Sequence, residues 1–182
     1  MGKYEAILSE CRIWRLDILI FVTLGTQDKP FTRLLEALEK EIEKGNIKDE
    51  VIVQAGSTKY KSKKMQLFDL ISQETFSDYM QKADIIITHG GVGSIVTALN
   101  FEKKVIAAPR LAQFGEHVND HQVEFTKSVA ERMQNIIPIE NVNKLEQVIF
   151  DYNDIVEKMG NKISSNNEKF CNKFEKLVED II

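Results

Sequence analysis

The chain has 182 residues, 43% of them hydrophobic and 29% charged, with a formal net charge of −4. That length and balance suit one compact domain with a real core, and an acidic balance argues against nucleic acid as the main partner, because phosphate backbones are met by basic faces. No apolar run is long enough to span a bilayer, and Cys11 and Cys171 show no metal-ligand or disulfide-framework spacing, so a reducing cytoplasm fits.

Residues 1–16 carry Glu5, Glu10 and Arg12 where a signal peptide would be apolar, and they read as an N-terminal appendage. From 17 to 160 the chain alternates strand and helix signals. Residues 18–22 form a continuous β-branched and aromatic run, as a strand covered on both faces requires, and Leu24-Gly25-Thr26 follows as a turn. Pro30 opens a helix over 31–44, where Leu34, Leu35, Leu38 and Ile42 recur at helical spacing, and Gly45-Asn46 stops it. Strands are predicted over 51–54 and 65–71, the basic segment 59–64 between them reading as a solvated loop, with an acidic surface as the alternative partner. A short helix follows over 75–82, then a strand over 85–88, a helix over 94–100 and a strand over 105–108. Beyond a polar loop come a helix over 117–129, a short strand over 136–138 and a helix over 142–159. Residues 161–182 read as a C-terminal amphipathic helix packed on the domain, with Phe170, Phe174, Leu177 and Ile181 on one face.

Strands separated by helices of this length imply an α/β fold, a Rossmann-like parallel sheet with helices on both faces. Ligands bind such sheets beyond the carboxyl ends of the strands, where the strand order reverses. The turns Gly25-Thr26-Gln27 and His89-Gly90-Gly91-Val92-Gly93-Ser94 are expected at that crevice. Glycine lets a ligand approach the main chain, and a following helix offers unpaired N–H groups, so the second turn suits a phosphate. Ser94 is expected as helix cap and hydroxyl donor, and His89 to point an imidazole N–H at the same oxygens. A P-loop is argued against by the lack of a lysine near Gly93, and a dinucleotide fingerprint by its position after the wrong strand and by Pro109-Arg110 where a ribose-binding carboxylate belongs. A nucleotide-sugar site remains. The segment 108–125 adds Gln113, Glu116, His117, Asn119, Asp120, His121 and Gln122, the hydrogen-bonding set that neutral sugar hydroxyls call for.

At Val22-Thr23-Leu24-Gly25-Thr26, Gln54-Ala55-Gly56-Ser57, Ala83 to Ser94, Pro109-Arg110 and Glu116 to Gln122, the chain resembles the carboxyl-terminal, donor-binding half of GT-B glycosyltransferases of family 28. The likeness is strongest to stand-alone versions of that half, such as the catalytic subunit of the eukaryotic dolichol-linked UDP-GlcNAc transferase and the PssE-like subunits of capsular and exopolysaccharide transferases. The resemblance implies half of a GT-B fold, with a donor diphosphate against Gly25, Thr26, His89, Gly90, Gly91, Gly93 and Ser94. It implies sugar near Gln113, Asn119, His121 and Gln122, and uracil held by the backbone of 71–73. Several relatives grip the ribose with an acid where this chain has Thr97; a water or Glu102 is the expected substitute.

The resemblance further implies a UDP-sugar as substrate with no cofactor and no metal, since no Asp-x-Asp pair is placed to hold one. Because 1–16 cannot form an acceptor-binding domain, it implies a separate membrane-attached acceptor-binding subunit, a lipid-linked acceptor and no nucleic acid. The protein is then expected in the cytoplasm, peripheral at the inner membrane face through that partner. The reaction expected is inverting transfer of a hexose from the UDP-sugar to the lipid-linked saccharide. Glu116 and His117 are candidate bases in the chain itself, the partner being the preferred source. A non-catalytic UDP-sugar-binding regulatory module and a UDP-sugar epimerase or hydrolase are the alternatives.

Overall fold

A computed structural model describes residues 18–133 and 135–159. The appendage read over 1–16 and the helix read over 161–182 lie outside the described residues. Among those described, no helix is long and apolar enough to cross a membrane.

The strands are β1 Leu19–Thr23, β2 Glu50–Gln54, β3 Gln66–Phe68, β4 Ile85–Thr88, β5 Val105–Ala107 and β6 Ile136–Pro138. The helices are α1 Thr32–Glu43, α2 Gln73–Lys82, α3 Val92–Asn100, α4 His121–Met133, α5 Leu145–Phe150 and α6 Tyr152–Met159. Every strand pairing is parallel and the sheet order is β3-β2-β1-β4-β5-β6. The chain builds outward from β1 in one direction, returns, and builds outward in the other, so the order reverses between β1 and β4. There the two neighbouring loops leave in opposite directions and open a crevice above the carboxyl ends of the strands.

Alternation along these apolar strands feeds two cores. Ile20, Val22, Val51, Val53, Ile85 and Ile87 face one side with Leu34, Leu35 and Leu38 of α1, Leu145 of α5 and Tyr152 of α6. Phe21, Ile52, Ile86 and Val105 face the other with Met80 of α2 and Ala98 of α3. Ile95 and Leu99 of α3 join Val129 of α4 against Ala107 and Ile136. Each such fully buried side chain contributes about 1.5–3 kcal/mol, which is why continuous apolar runs become the central strands.

The structure moves several expected boundaries, each for a local reason. The helix predicted from 117 begins only at His121, because the preceding polar residues close the loop instead: Asp120 Oδ1 accepts from Ala112 N at 2.8 Å, and Glu116 Oε2 from Leu111 N at 3.0 Å. The single helix predicted over 142–159 is a 3-10 turn, Val142–Lys144, followed by α5 and α6, which part at Asp151. That turn lets Tyr152 enter the core and donate its hydroxyl to Lys104 O at 3.0 Å. Strand β3 stops at Phe68, and residues 69–71 leave the sheet for the crevice. In the basic loop Lys59 pairs with Asp69 at 2.7 Å and Lys64 lies 3.8 Å from Glu43, so part of its charge is balanced within the chain.

Candidate functional site

The site starts at the end of β1. Gly25 sits at φ +74°, and a Cβ there would meet the His89 ring at 2.6 Å. On its other side Gly56 comes so near that its own Cβ would stand 2.1 Å from Gly25 O. Ser57 Oγ donates to Gln27 O, and Phe31 N donates to Thr58 Oγ1 at 3.0 Å. The β1–α1 turn is thus held between the β2–β3 turn and the histidine, with Thr26 exposed at its crest.

His89 ends β4 and is 9% exposed. Its Nδ1 lies 3.3 Å from Thr23 O, and a carbonyl only accepts, so Nδ1–H donates there. Burial, reinforced by the Arg110 charge, pushes its pKa down to about 4, leaving a neutral ring near pH 7. Nε2, expected as a donor, therefore carries a lone pair. It rests against Gly91, where a Cβ would stand only 2.2 Å away. Gly90, at φ +81°, turns the chain against Pro109 and Thr126.

Helix α3 begins two residues before the expected start. Its cap is Gly91, which offers no side chain, so Ser94 is a residue of the first turn and not the cap. The first helical bond runs from Ile95 N to Gly91 O at 3.2 Å, so the N–H groups of Val92, Gly93 and Ser94 have no carbonyl within the helix. Gly93 has open space where a Cβ would be. Thr97 Oγ1 donates back to Gly93 O at 2.8 Å.

These groups converge on a cavity of about 530 Å³. One wall is Gly25, Thr26, His89, Gly91, Gly93, Ser94 and Thr97; the opposite wall is Leu70, Ile71, Gln73 and Phe76, with Thr23 and Gln54 between. The second wall is set by Ser72, whose Oγ caps α2 by accepting from Thr75 N at 3.1 Å. Phe76 is fixed edge-on to Phe21, ring centroids 5.6 Å apart. Unpaired amides and hydroxyls on one side of an apolar slot suit an anionic group joined to a flat ring. Among the described residues no carboxylate lines it.

The polar segment after β5 stands elsewhere. Gln113 and His121 are exposed, and Asn119, His117 and Gln122 half-buried; none of them lines the cavity. His117 Nδ1 lies 3.0 Å from Asn119 O, and Asn119 Oδ1 accepts from His121 N at 3.3 Å. Gln122 Oε1 accepts from Arg110 N at 3.1 Å. Glu116 is buried, its two oxygens accepting from Arg33 Nε and Nη2 at 2.8 Å each, so both are engaged within the fold, and it does not line the cavity. Glu102 follows the far end of α3 at φ 57°, at the amino edge of the sheet, where it cannot reach a ribose in the crevice. Leu70 and Phe76 enter the site without having been singled out in the sequence, and Gln54, quoted only among the residues that carry the resemblance, enters as a lining residue. Gln54 stands next to Ala55-Gly56-Ser57 at a strand's carboxyl end, and that position was the available signal.

Six parallel strands in this order, with two glycine turns at the reversal, define a Rossmann-like domain that matches one half of a GT-B glycosyltransferase. The glycosyltransferase family 28 C-terminal domain matches residues 19–181, and the chain belongs to that family. Among curated proteins it is similar to the UDP-N-acetylglucosamine transferase subunit ALG13 of Debaryomyces hansenii, 27% identical over 94 residues, 52% of this chain and 43% of that protein. The chain spans less than half the length of that curated relative. Among solved structures, the glycosyltransferase SnogD from Streptomyces nogalater matches with a TM-score of 0.60 at 16% identity, over 90% of this chain and 43% of that one. MurG of Acinetobacter baumannii matches with a TM-score of 0.55 at 15% identity, over 93% of this chain and 52% of its own. These two likenesses concern the fold alone.

Proposed function

We propose that the chain is the catalytic, donor-binding subunit of a two-subunit inverting glycosyltransferase that moves a hexose from a UDP-sugar to a lipid-linked saccharide in capsular or exopolysaccharide synthesis. The observation that carries this reading is the cavity itself. Two glycine turns and the open amino end of α3 face a slot formed by Ile71, Gln73 and Phe76. The diphosphate lies against the amides of Gly25, Thr26, Gly93 and Ser94, and the uracil lies in the slot. As the sugar leaves, charge develops on the UDP phosphates, and donors already aimed there lower the barrier without reorganising. Sugar hydroxyls meet Asn119, His121 and Gln122 beyond the mouth.

The base comes from a membrane-attached, acceptor-binding partner, which also holds this chain at the cytoplasmic membrane face. Support comes from the absence of a carboxylate in the cavity lining among the described residues, from the pairing of Glu116 with Arg33, and from the similar Debaryomyces hansenii protein, which is itself named a subunit. The same absence of a carboxylate favours a second reading, a non-catalytic UDP-sugar-binding module.

Isothermal titration with UDP and a panel of UDP-sugars tests the donor site. Micromolar binding, strengthened by one sugar and removed by His89→Ala with Asn119→Ala, is the expected result; no binding of any uridine nucleotide overturns it. Adding the acceptor-binding subunit and a lipid-linked acceptor then separates the readings. Transfer supports the catalytic one, binding without transfer the regulatory one, and donor consumption without acceptor a hydrolase or epimerase.

A further inference from the structure

The β1–α1 turn and the loop that follows β5 meet at one fully buried side chain. Arg110 has no solvent exposure. Its Nη2 donates to Leu24 O at 2.8 Å, and its Nη1 to Lys29 O at 2.6 Å and to Glu116 O at 3.3 Å. Leu24 and Lys29 bracket the stretch that contains Gly25 and Thr26, so one rigid fork grips both ends of the turn. Its guanidinium carbon lies 5.1 Å from the centre of the Phe31 ring. Its own N–H donates to Gln122, tying the loop after β5 to the same point.

A buried guanidinium is costly, and here every side-chain bond goes to a main-chain carbonyl. The nearby carboxylate of Glu116 is taken by Arg33, and among the described residues Arg110 forms no ion pair. Its Nε has no hydrogen-bond partner among the described residues. A side chain kept only for packing needs neither the charge nor the fork. This one places a positive charge, with the carboxylates of Glu116 and Asp28 in its surroundings, beside the turn that carries Gly25 and Thr26.

We propose that Arg110 is a positioning residue for the donor diphosphate: its fork sets the Leu24–Lys29 turn so that the turn's amides face the phosphates, and its charge acts on them from behind. This rests on the UDP-sugar reading of the cavity. Only the phosphates use the turn, while the uracil sits on the opposite wall, so the effect is selective.

The test compares UDP with uridine, which lacks the phosphates, in the wild type, Arg110→Met, Arg110→Lys and Ile47→Ala. Ile47 is a buried residue at the amino edge of the sheet and reports general loosening. Arg110→Met is expected to weaken UDP by about tenfold or more, roughly the loss of one charge-assisted contact, and uridine by less than about twofold. Arg110→Lys keeps the charge but not the fork and is expected to recover only part of that loss. The wild type alone supplies a readout that needs no variant: the guanidinium 15N signals of Arg110 should shift on adding UDP and stay put on adding uridine. Equal weakening of both ligands in Arg110→Met, the same pattern in Ile47→Ala, or guanidinium signals indifferent to UDP would overturn the proposal. A wild type that binds neither ligand overturns the UDP-sugar reading and this inference with it; a wild type that binds UDP no better than Arg110→Met overturns this inference alone.

Discussion

Among the described residues His89 is the one titratable side chain in the cavity lining, and its state follows from what surrounds it. Burial, with the charge of Arg110 nearby, pushes its pKa down from an ordinary 6.5 to about 4 in the folded chain, and the bond to Thr23 O offsets only part of that. Between those values the unfolded chain takes up a proton that the folded chain refuses, so stability falls as pH drops from 6.5 towards 4. The loss amounts to about 3 kcal/mol at most, and urea unfolding should show it in the wild type and not in His89→Gln. A phosphate that accepts from Nε2 needs a proton there. Binding of a UDP-sugar, whose diphosphate diester does not titrate near neutrality, is therefore expected to take up protons, and calorimetry in buffers of different ionisation heat measures that uptake. Gly91→Ala forces a Cβ to within 2.2 Å of Nε2 and so must displace the ring. UDP affinity is expected to fall by about tenfold or more, with about 1–3 kcal/mol of stability lost to overpacking.

Helix α2 carries one wall of the cavity, and its place depends on contacts made away from the ligand. Phe21, fully buried in β1, meets Phe76 edge-on and stacks on Tyr79 at 5.3 Å between centroids. Phe21→Ala is expected to cost about 3–5 kcal/mol and to weaken uridine as well as UDP, since Phe76 and Gln73 lose their backing. The cap Ser72 contributes about 1 kcal/mol, so Ser72→Ala should lower the urea midpoint slightly and affect nucleoside binding in the same direction. Across the crevice the loop after β5 hangs on Glu116. Its removal in Glu116→Ala strands the part-buried Arg33 and frees Leu111 N–H, an expected loss of about 2–4 kcal/mol by chemical denaturation. A catalytic base would show instead as a fall in kcat with stability intact.

At the scale of the molecule, the described residues gather the cavity-lining groups on one side of the sheet. In a parallel sheet the loops after the strands meet at one edge, and among the described residues both glycine turns and the open end of α3 lie there. On the proposed reading, with no carboxylate in the lining among the described residues, the chain alone is expected to bind a UDP-sugar and to transfer it slowly. On the same reading, adding the proposed acceptor-binding partner should raise transfer by orders of magnitude, with the product's anomeric configuration inverted by NMR.

Read alone, the sequence determined the alternation of strand and helix, the parallel sheet and the two glycine turns, because apolar runs of strand length and helical spacing are local patterns. Strand β4 and strand β6 fall on their expected residues for that reason. The start of α4 and the break at Asp151 were not legible, since each depends on partners distant in the chain: Arg33 and Leu111 for the loop before α4, Lys104 for Tyr152. The same holds for the site. Gly25, Thr26, His89, Gly93 and Ser94 could be picked out because glycines at strand ends announce a turn that a ligand can approach. Leu70, Phe76 and the buried fork of Arg110 became visible only when the sheet placed the end of β3, α2 and the loop after β5 beside them. Tertiary structure also decided which nitrogen of His89 faces the cavity, because that follows from Thr23 O, 66 residues away along the chain.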